Sequence, residues 1–222
     1  MSTTQETNIA VSFYNIHNII TRGLKVSIES IQEAIQSGFK DTGRRTGIFT
    51  FIRTLSIVLN SHHLTEDEVV FPYFREKMPD APFDVLIKWH QEMVEILGDI
   101  QKAVDKCDRD GWHEAELKDL ENVLTRLNES WHPHIKMETD EFILKADALL
   151  PVQEQLSLIQ SASEHGQKNS EPPFLTVPFM LYNLPMEDRK VFSHGMPAEL
   201  LENLVPIVWK EKWESMAPYL LT

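Results

Sequence analysis

The sequence predicts an all-α protein whose main part is an up-down-up-down four-helix bundle. The first observation is that only 8 glycines occur in 222 residues. Long stretches lack both glycine and proline, which favours helices over strands joined by turns. The second is that four segments repeat apolar residues at intervals of three or four, the spacing of a helix with one buried face. Short turns join these segments, so each apolar face can be buried only against the other three helices.

The first two predicted helices span residues 9–37 and 46–77. The apolar face of the first consists of Phe13, Ile20, Leu24, Ile28, Ile31 and Ile35. The apolar face of the second consists of Ile48, Ile52, Leu55, Leu59, Val69 and Tyr73. A turn at 41–43 separates the two helices, and the segment 78–82, which contains two prolines, ends the second.

The third and fourth predicted helices span residues 83–107 and 112–149. The apolar face of the third consists of Phe83, Leu86, Met93, Leu97, Ile100 and Val104. The apolar face of the fourth includes Leu117, Leu120, Leu124, Leu127 and Trp131. The loop 108–111 joins the two helices, and Pro151 marks the end of the fourth.

We divide the chain into three parts. Residues 1–8 are polar and are predicted to be disordered, residues 9–150 form the bundle, and residues 151–222 form a helical, proline-rich C-terminal extension. The extension contains Trp209 and Trp213 and is too apolar for a disordered tail. We expect it to pack on the bundle of its own chain or of a second copy, which leaves a homodimer open.

The net charge, the length of apolar runs and the cysteine count limit the partners and the cellular compartment that we expect for the protein. Lys and Arg number 21 and Asp and Glu number 34, which gives a formal net charge of −13. This excess of negative charge argues against sequence-independent binding of nucleic acid or anionic lipid. We expect no membrane span, because no run approaches about 18 uninterrupted apolar residues. The single cysteine, Cys107, suggests a reducing compartment, and we predict a cytoplasmic protein.

Histidines and glutamates interrupt the apolar faces in a repeated arrangement. Each bundle helix places one histidine on its face, and in the second and fourth helices a glutamate follows four residues later, on the same side of the helix. The two pairs of histidines are separated by almost equal lengths of chain, 45 and 44 residues, so the chain resembles two helical hairpins with the same set of side chains. The six residues are His17, His62, Glu66, His90, His134 and Glu138.

This arrangement predicts a metal centre inside the bundle. Two buried carboxylates in one layer repel each other or take up protons unless a cation neutralises them. Imidazole and carboxylate ligands suit iron, manganese or zinc. Six ligands are too many for one ion with an open position, and they suit two ions that both glutamates bridge. Position along the bundle assigns His17 and His62 to one ion and His90 and His134 to the other, with an oxo or hydroxo bridge and an open position for dioxygen or peroxide.

At these positions the sequence resembles the hemerythrin-like family of HHE cation-binding domains. The resemblance extends over about residues 9–150 and is most specific at residues 62–72 and 134–138. It implies a hemerythrin-like bundle with a non-haem diiron centre, in which the six residues are iron ligands, and it ranks manganese and zinc below iron. Members of this family carry, sense or reduce oxygen species, or sense iron.

Two departures from the oxygen-carrying members affect the predicted function. Carriers have a second histidine four residues after the first in the third helix, where this chain has Val94. They also have an aspartate five residues after the histidine of the fourth helix, where this chain has Glu138 at the fourth. We therefore predict a diiron protein that binds dioxygen, a related small oxidant or iron itself. The alternative is a diiron oxidoreductase that activates dioxygen or peroxide towards an unidentified substrate, and whether the protein is an enzyme stays open.

Two further residues are weaker candidates for an additional ligand. Glu141 lies three residues after Glu138. His63 follows His62 directly, and one step along a helix turns a side chain by about 100°, away from the predicted buried face.

Overall fold

The all-α prediction is confirmed: in the computed structural model, which describes residues 8–110 and 112–222, every regular element is a helix. Six helices and two π-helical turns build the bundle. The helices are α1 (Ile9–Ser37), α2 (Thr42–Thr65), α3 (Phe71–Arg75), α4 (Phe83–Asp110), α5 (Glu114–Glu138) and α6 (Leu144–Leu149). Helix α1 packs on α2 and α5, and α4 packs on the same two helices, so α1, α2, α5 and α4 surround a common interior.

Side-chain caps set the starts of the first two helices. The Asn8 side chain accepts a hydrogen bond from the backbone N–H of Val11 at 2.8 Å and caps α1. The rest of the segment predicted to be disordered lies outside the described residues. The Asp41 side chain accepts from the backbone N–H of Arg44 at 2.7 Å. This cap starts α2 at Thr42, before the predicted start at residue 46, because the orphan N–H groups of a first helical turn take such acceptors.

A π-helical turn interrupts each of the two helices that carry a glutamate of the predicted centre. Glu66–Val70 connects α2 to α3, and Thr139–Ile143 connects α5 to α6. In the first turn the backbone N–H of Phe71 bonds to the carbonyl of Glu66, five residues back, so one extra residue enters the turn.

The extra residue changes which side chains are buried beyond Glu66. Val70, Phe71 and Phe74 are buried, whereas Val69 and Tyr73 are only half-buried. Val69 and Tyr73, predicted on the apolar face, pack against the core without being fully buried, because the prediction assumed an uninterrupted α-helical period.

Two apolar clusters fill the bundle. The larger includes Leu24, Leu55 and Trp131, and the smaller includes Phe13 and Phe71. The histidine rings touch both: the ring of His17 lies 5.4 Å from that of Trp131 and 5.8 Å from that of Phe13, between centroids. The polar residues therefore form a layer between two apolar cores.

The C-terminal extension consists of helices that cover α2 and part of α1. They are α7 (Val152–Asn169), α8 (Pro173–Tyr182), α9 (Met186–Phe192), a π-helical segment (Leu200–Val208), α10 (Lys210–Trp213) and a final 3₁₀ segment (Glu214–Tyr219). The Ser61 hydroxyl of α2 donates to the Gly166 carbonyl at 3.0 Å, and the Tyr219 hydroxyl donates to the Arg44 carbonyl at 2.7 Å. The extension thus contacts the bundle of its own chain along most of α2.

Within the described residues, none of these helices combines the length and the apolar character needed to cross a membrane.

Candidate metal centre

The six residues predicted from the sequence come together in one buried layer. Each of their side chains comes from a bundle helix or from the π turn after α2, and none is more than 9 % exposed. They are His17 from α1, His62 from α2, Glu66 from the π turn, His90 from α4, and His134 and Glu138 from α5.

The nitrogen and oxygen atoms of this layer form two groups, in each of which the atoms lie within 4.8 Å of one another. The first group contains His17, His62, Glu66 and Glu138. The second contains His63, Glu66, His90 and His134. The division of the four predicted histidines follows the two hairpins, and Glu66 is shared by both groups.

Several donor atoms of the first group touch without forming hydrogen bonds. His17 Nε2 lies 3.2 Å from Glu138 Oε2, and His62 Nε2 lies 3.1 Å from Glu66 Oε1. None of these four atoms has a hydrogen-bond partner among the residues that the structure describes. Buried polar atoms are nearly always paired, so four such atoms in contact indicate a site whose partner is a cation.

The second group is oriented by a carboxylate that the sequence prediction missed. Asp67 Oδ1 lies 2.7 Å from His90 Nδ1, and this contact places the proton of the His90 ring on Nδ1. The opposite nitrogen, Nε2, then presents its lone pair 3.3 Å from Glu66 Oε2 and 3.3 Å from His134 Nε2. Such an outer carboxylate fixes the tautomer of a metal-binding histidine.

His63 lies inside the second group and was predicted only as a weaker candidate. Its ring is 1 % exposed and stacks on the ring of His90, with the centroids 4.0 Å apart and the planes 9° apart. The ring of His62 instead faces His17, at 5.1 Å between centroids. The two consecutive histidines lie on either side of the buried face of α2, one toward α1 and the other toward α4. The sequence prediction placed only one of them on that face, because it followed a single row of buried positions along the helix.

A family model for the hemerythrin HHE cation-binding domain matches residues 12–146 of the chain. The chain belongs to this family. Comparison with curated proteins and with solved structures returned no match. The matched range contains all seven buried histidines and glutamates of the hemerythrin layer and most of the bundle predicted over residues 9–150.

The other residues considered for the hemerythrin site lie outside the layer. Glu141 is exposed and its carboxylate pairs with the Lys145 ammonium at 2.8 Å. Val94, at the position where carriers have a second histidine, is 47 % exposed. The side chain of α4 in the layer is therefore His90.

Burial favours the neutral form of three histidines of the layer, His62, His63 and His134. Desolvation, followed by repulsion from neighbouring histidines, lowers the pKa of His62 and of His63 well below the ordinary value. Desolvation also lowers the pKa of His134 to about 3. A neutral imidazole with a free lone pair is the form that binds a metal ion.

The two carboxylates differ in their protonation. Burial and the nearby charge of Glu138 raise the pKa of Glu66 well above its ordinary value. Burial also acts on Glu138, but its contacts with His17 and the other histidines outweigh this and lower its pKa. Without a cation, Glu66 therefore holds a proton up to a higher pH than an ordinary glutamate does, and a bound cation would displace that proton. The neutral imidazoles of His62, His63 and His134 and the ionised carboxylate of Glu138 are ligands that fit a metal cation such as iron.

Proposed function

We propose that this hemerythrin domain is a non-haem diiron protein that binds dioxygen, a related small oxidant or iron itself. The observation that supports the proposal is the pair of buried donor groups that share Glu66. His17, His62 and Glu138 would hold one ion, His90 and His134 would hold the other, and Glu66 would contact both. The family favours iron over manganese and zinc, although the nitrogen and oxygen ligands suit all three.

The bound ions would supply the redox chemistry and an open position for a small ligand. The protein's own residues prepare that position. Asp67 holds the proton of His90 at Nδ1 and leaves Nε2 free to bind. Phe13 and Trp131 border the layer from opposite cores and exclude water from it. Exclusion of water strengthens the electrostatic interactions inside the site.

A surface pocket near the layer favours a small ligand over a large substrate. The pocket lies between α4 and α5 and is lined by Trp89, Glu92, Glu129, Ser130 and Pro133. No histidine or glutamate of the layer lines this pocket, whereas Trp89 does and has its ring 5.8 Å from the ring of His134, between centroids. An oxidoreductase that acts on a larger substrate would need Trp89 to move, which makes this the second candidate function.

Metal analysis of the anaerobically purified full chain tests the proposal. We expect about two irons per chain and an optical absorption band that appears with air and disappears when oxygen is removed. Two irons that consume peroxide or turn over with a reductant would instead establish the oxidoreductase. Iron-free protein, or protein with one zinc, would contradict the diiron proposal.

The predicted homodimer and cytoplasmic location belong to the same proposal. A dimer would use the outer face of the extension, where Ile207 and Val208 are 66 % and 56 % exposed. Light scattering on the purified chain measures this directly. The proposed cytoplasmic location rests on the sequence, whose single cysteine, Cys107, can form no disulfide within the chain.

A further inference from the structure

We propose that His63 is a metal ligand, the third histidine beside Glu66, His90 and His134, and that it replaces the imidazole absent from the third bundle helix. This inference rests on the proposed function, since it assigns one more ligand to the same centre. With His63 as a ligand, the two ion positions differ in their numbers of imidazole and carboxylate ligands.

The ring of His63 is buried in a way that packing alone does not explain. The side chain is 1 % exposed. Neither Nδ1 nor Nε2 has a hydrogen-bond partner in the described parts of the chain. A buried polar atom without a partner costs on the order of 1–3 kcal/mol, and this ring carries two such atoms. A cation bound to the lone-pair nitrogen of the ring would give that atom a partner.

His63 has a ring nitrogen close enough to the other donor atoms to bind the same ion. A ring nitrogen of His63 lies within 4.8 Å of the donor atoms of Glu66, His90 and His134. The ring is 5.4 Å from that of His134, between centroids, and is inclined to it by 77°. Three imidazoles from α2, α4 and α5 therefore meet one carboxylate of the π turn.

Helix α4 does not bring a second histidine to this place. Val94, one turn after His90, is 47 % exposed. The next buried positions after His90 along α4 are Met93, Ile96 and Leu97, all apolar. On α2 the consecutive residues His62 and His63 reach opposite sides of the layer, so that helix contributes the additional imidazole.

With His63 included, each ion position has four protein side chains of different composition. One position has two imidazoles and two carboxylates, and the other has three imidazoles and one carboxylate. The loss of His63 should therefore weaken the binding of one ion and leave the affinity for the other nearly unchanged.

Anaerobic Fe²⁺ titration of the full chain, by equilibrium dialysis and elemental analysis, tests this assignment. The variant is His63→Phe, which keeps an aromatic ring against His90 but has no ring nitrogen. We expect it to keep one iron at the affinity of the unchanged chain and to bind the other at least about 10-fold more weakly. In ⁵⁷Fe Mössbauer spectra, one of two doublets should decrease while the other persists. His132→Ala is the matched control, because His132 is an exposed histidine of α5, six residues before Glu138, and this variant should keep both irons.

The outcomes separate this inference from the proposed function. If the unchanged chain binds two irons and His63→Phe binds both with equal affinity, His63 only packs and the inference is wrong while the proposed function stands. If the unchanged chain binds no iron, both fail. If His63→Phe loses helicity, His63→Ala with added imidazole decides: recovery of the second iron supports ligation by a nitrogen, and the absence of recovery contradicts it.

Discussion

A single carboxylate outside the proposed ligand set orients the ring of His90. Asp67 follows Glu66 in the π turn and contacts His90 Nδ1 at 2.7 Å, while Glu66 Oε2 lies 3.3 Å from Nε2 of the same ring. Two consecutive acidic residues thus hold opposite sides of one imidazole. The orientation of His90 depends on the local shape of this turn as much as on α4.

We expect Asp67→Ala to weaken iron binding at the His90 position by about 10- to 100-fold, because the ring loses its fixed tautomer. The iron held by His17 and His62 should be unaffected. Asp140→Ala is the matched control in the second π turn, since Asp140 is exposed and pairs with Lys136. Equilibrium dialysis with Fe²⁺ measures both variants, and equal affinities in the two would contradict the role of Asp67.

The protonation of His134 should make the metal-free protein sensitive to acid. Burial lowers the pKa of His134 to about 3, whereas in the unfolded chain it is about 6.5. Between these values the unfolded state binds more protons, so the free energy of unfolding decreases as the pH falls. At about pH 5 this one group should have cost roughly 2 kcal/mol.

Urea unfolding of the metal-free chain at several pH values between 5 and 7 checks this prediction. His134→Leu should remove part of the pH dependence, since leucine does not titrate. The raised pKa of Glu66 acts in the opposite sense, because it stabilises the fold at low pH and loses that contribution as the pH rises. Both proteins keep Glu66, so the difference between their slopes reports His134. Identical slopes would contradict the prediction.

At the scale of the element, the two π turns are the feature that sequence periodicity did not reveal. The buried positions of the second helix after His63 are Glu66, Val70, Phe71 and Phe74, and those of the fourth after His134 are Glu138, Phe142, Ile143 and Ala146. Beyond Glu66 and Glu138, a regular helix would bury the positions one residue earlier than those observed. The helices, their order and six of the donor residues could be predicted because each follows a period of 3.6 residues. The extra residue could not, since the apolar runs around it fit the regular period nearly as well.

Deletion of Glu68 should convert the first π turn into regular α-helix and preserve the fold. The deletion moves Val70, Phe71 and Phe74 one position earlier, to places that a regular helix buries beside Glu66. Asp67 would lose its contact with His90, and iron binding at that position should weaken. Circular dichroism and iron titration measure the two effects.

Deletion of Lys118 is the control for the deletion of Glu68. Lys118 is an exposed residue of α5, and its removal turns the apolar residues beyond it by about 100° relative to the part before it. We expect this variant to lose its cooperative unfolding transition. If both deletions unfold the protein to the same extent, the π turn at Glu66–Val70 does not contain an extra residue that the fold can lose.

At the scale of the whole molecule, the extension is fitted closely to the bundle at one glycine. A Cβ atom added to Gly47 of α2 would lie 2.0 Å from the backbone carbonyl oxygen of Ser215. The Arg22 guanidinium contacts Asn183 and, at 3.0 Å, the Tyr219 carbonyl oxygen. The composition indicated that the extension packs on a bundle, but these contacts could not be predicted, because they join residues far apart in sequence without a periodic pattern.

We expect Gly47→Ala to lower the free energy of unfolding by about 1–3 kcal/mol, since the backbone of the extension must move to admit a methyl group. Gly98→Ala is the matched control. Gly98 is exposed within α4, and apart from its chain neighbours and the adjacent backbone of the helix no described atom lies within 4 Å of a Cβ built on it. Alanine there should stabilise the helix by about 0.5–1 kcal/mol. Urea unfolding measures both variants. A Gly47→Ala protein as stable as the original would show that the extension is not held closely against α2.

The placement of His62 and His63 on either side of α2 has a consequence for the spacing of the two ions. The Cα atoms of consecutive residues are joined by one rigid peptide unit and lie about 3.8 Å apart. Small sliding motions between helices displace ligands from α1, α4 and α5 relative to each other, but they leave this separation unchanged. Helix α2 would therefore hold both ions through adjacent residues of one rigid element. The distance between the two ions would then vary less with temperature than the distances between the helices that surround them.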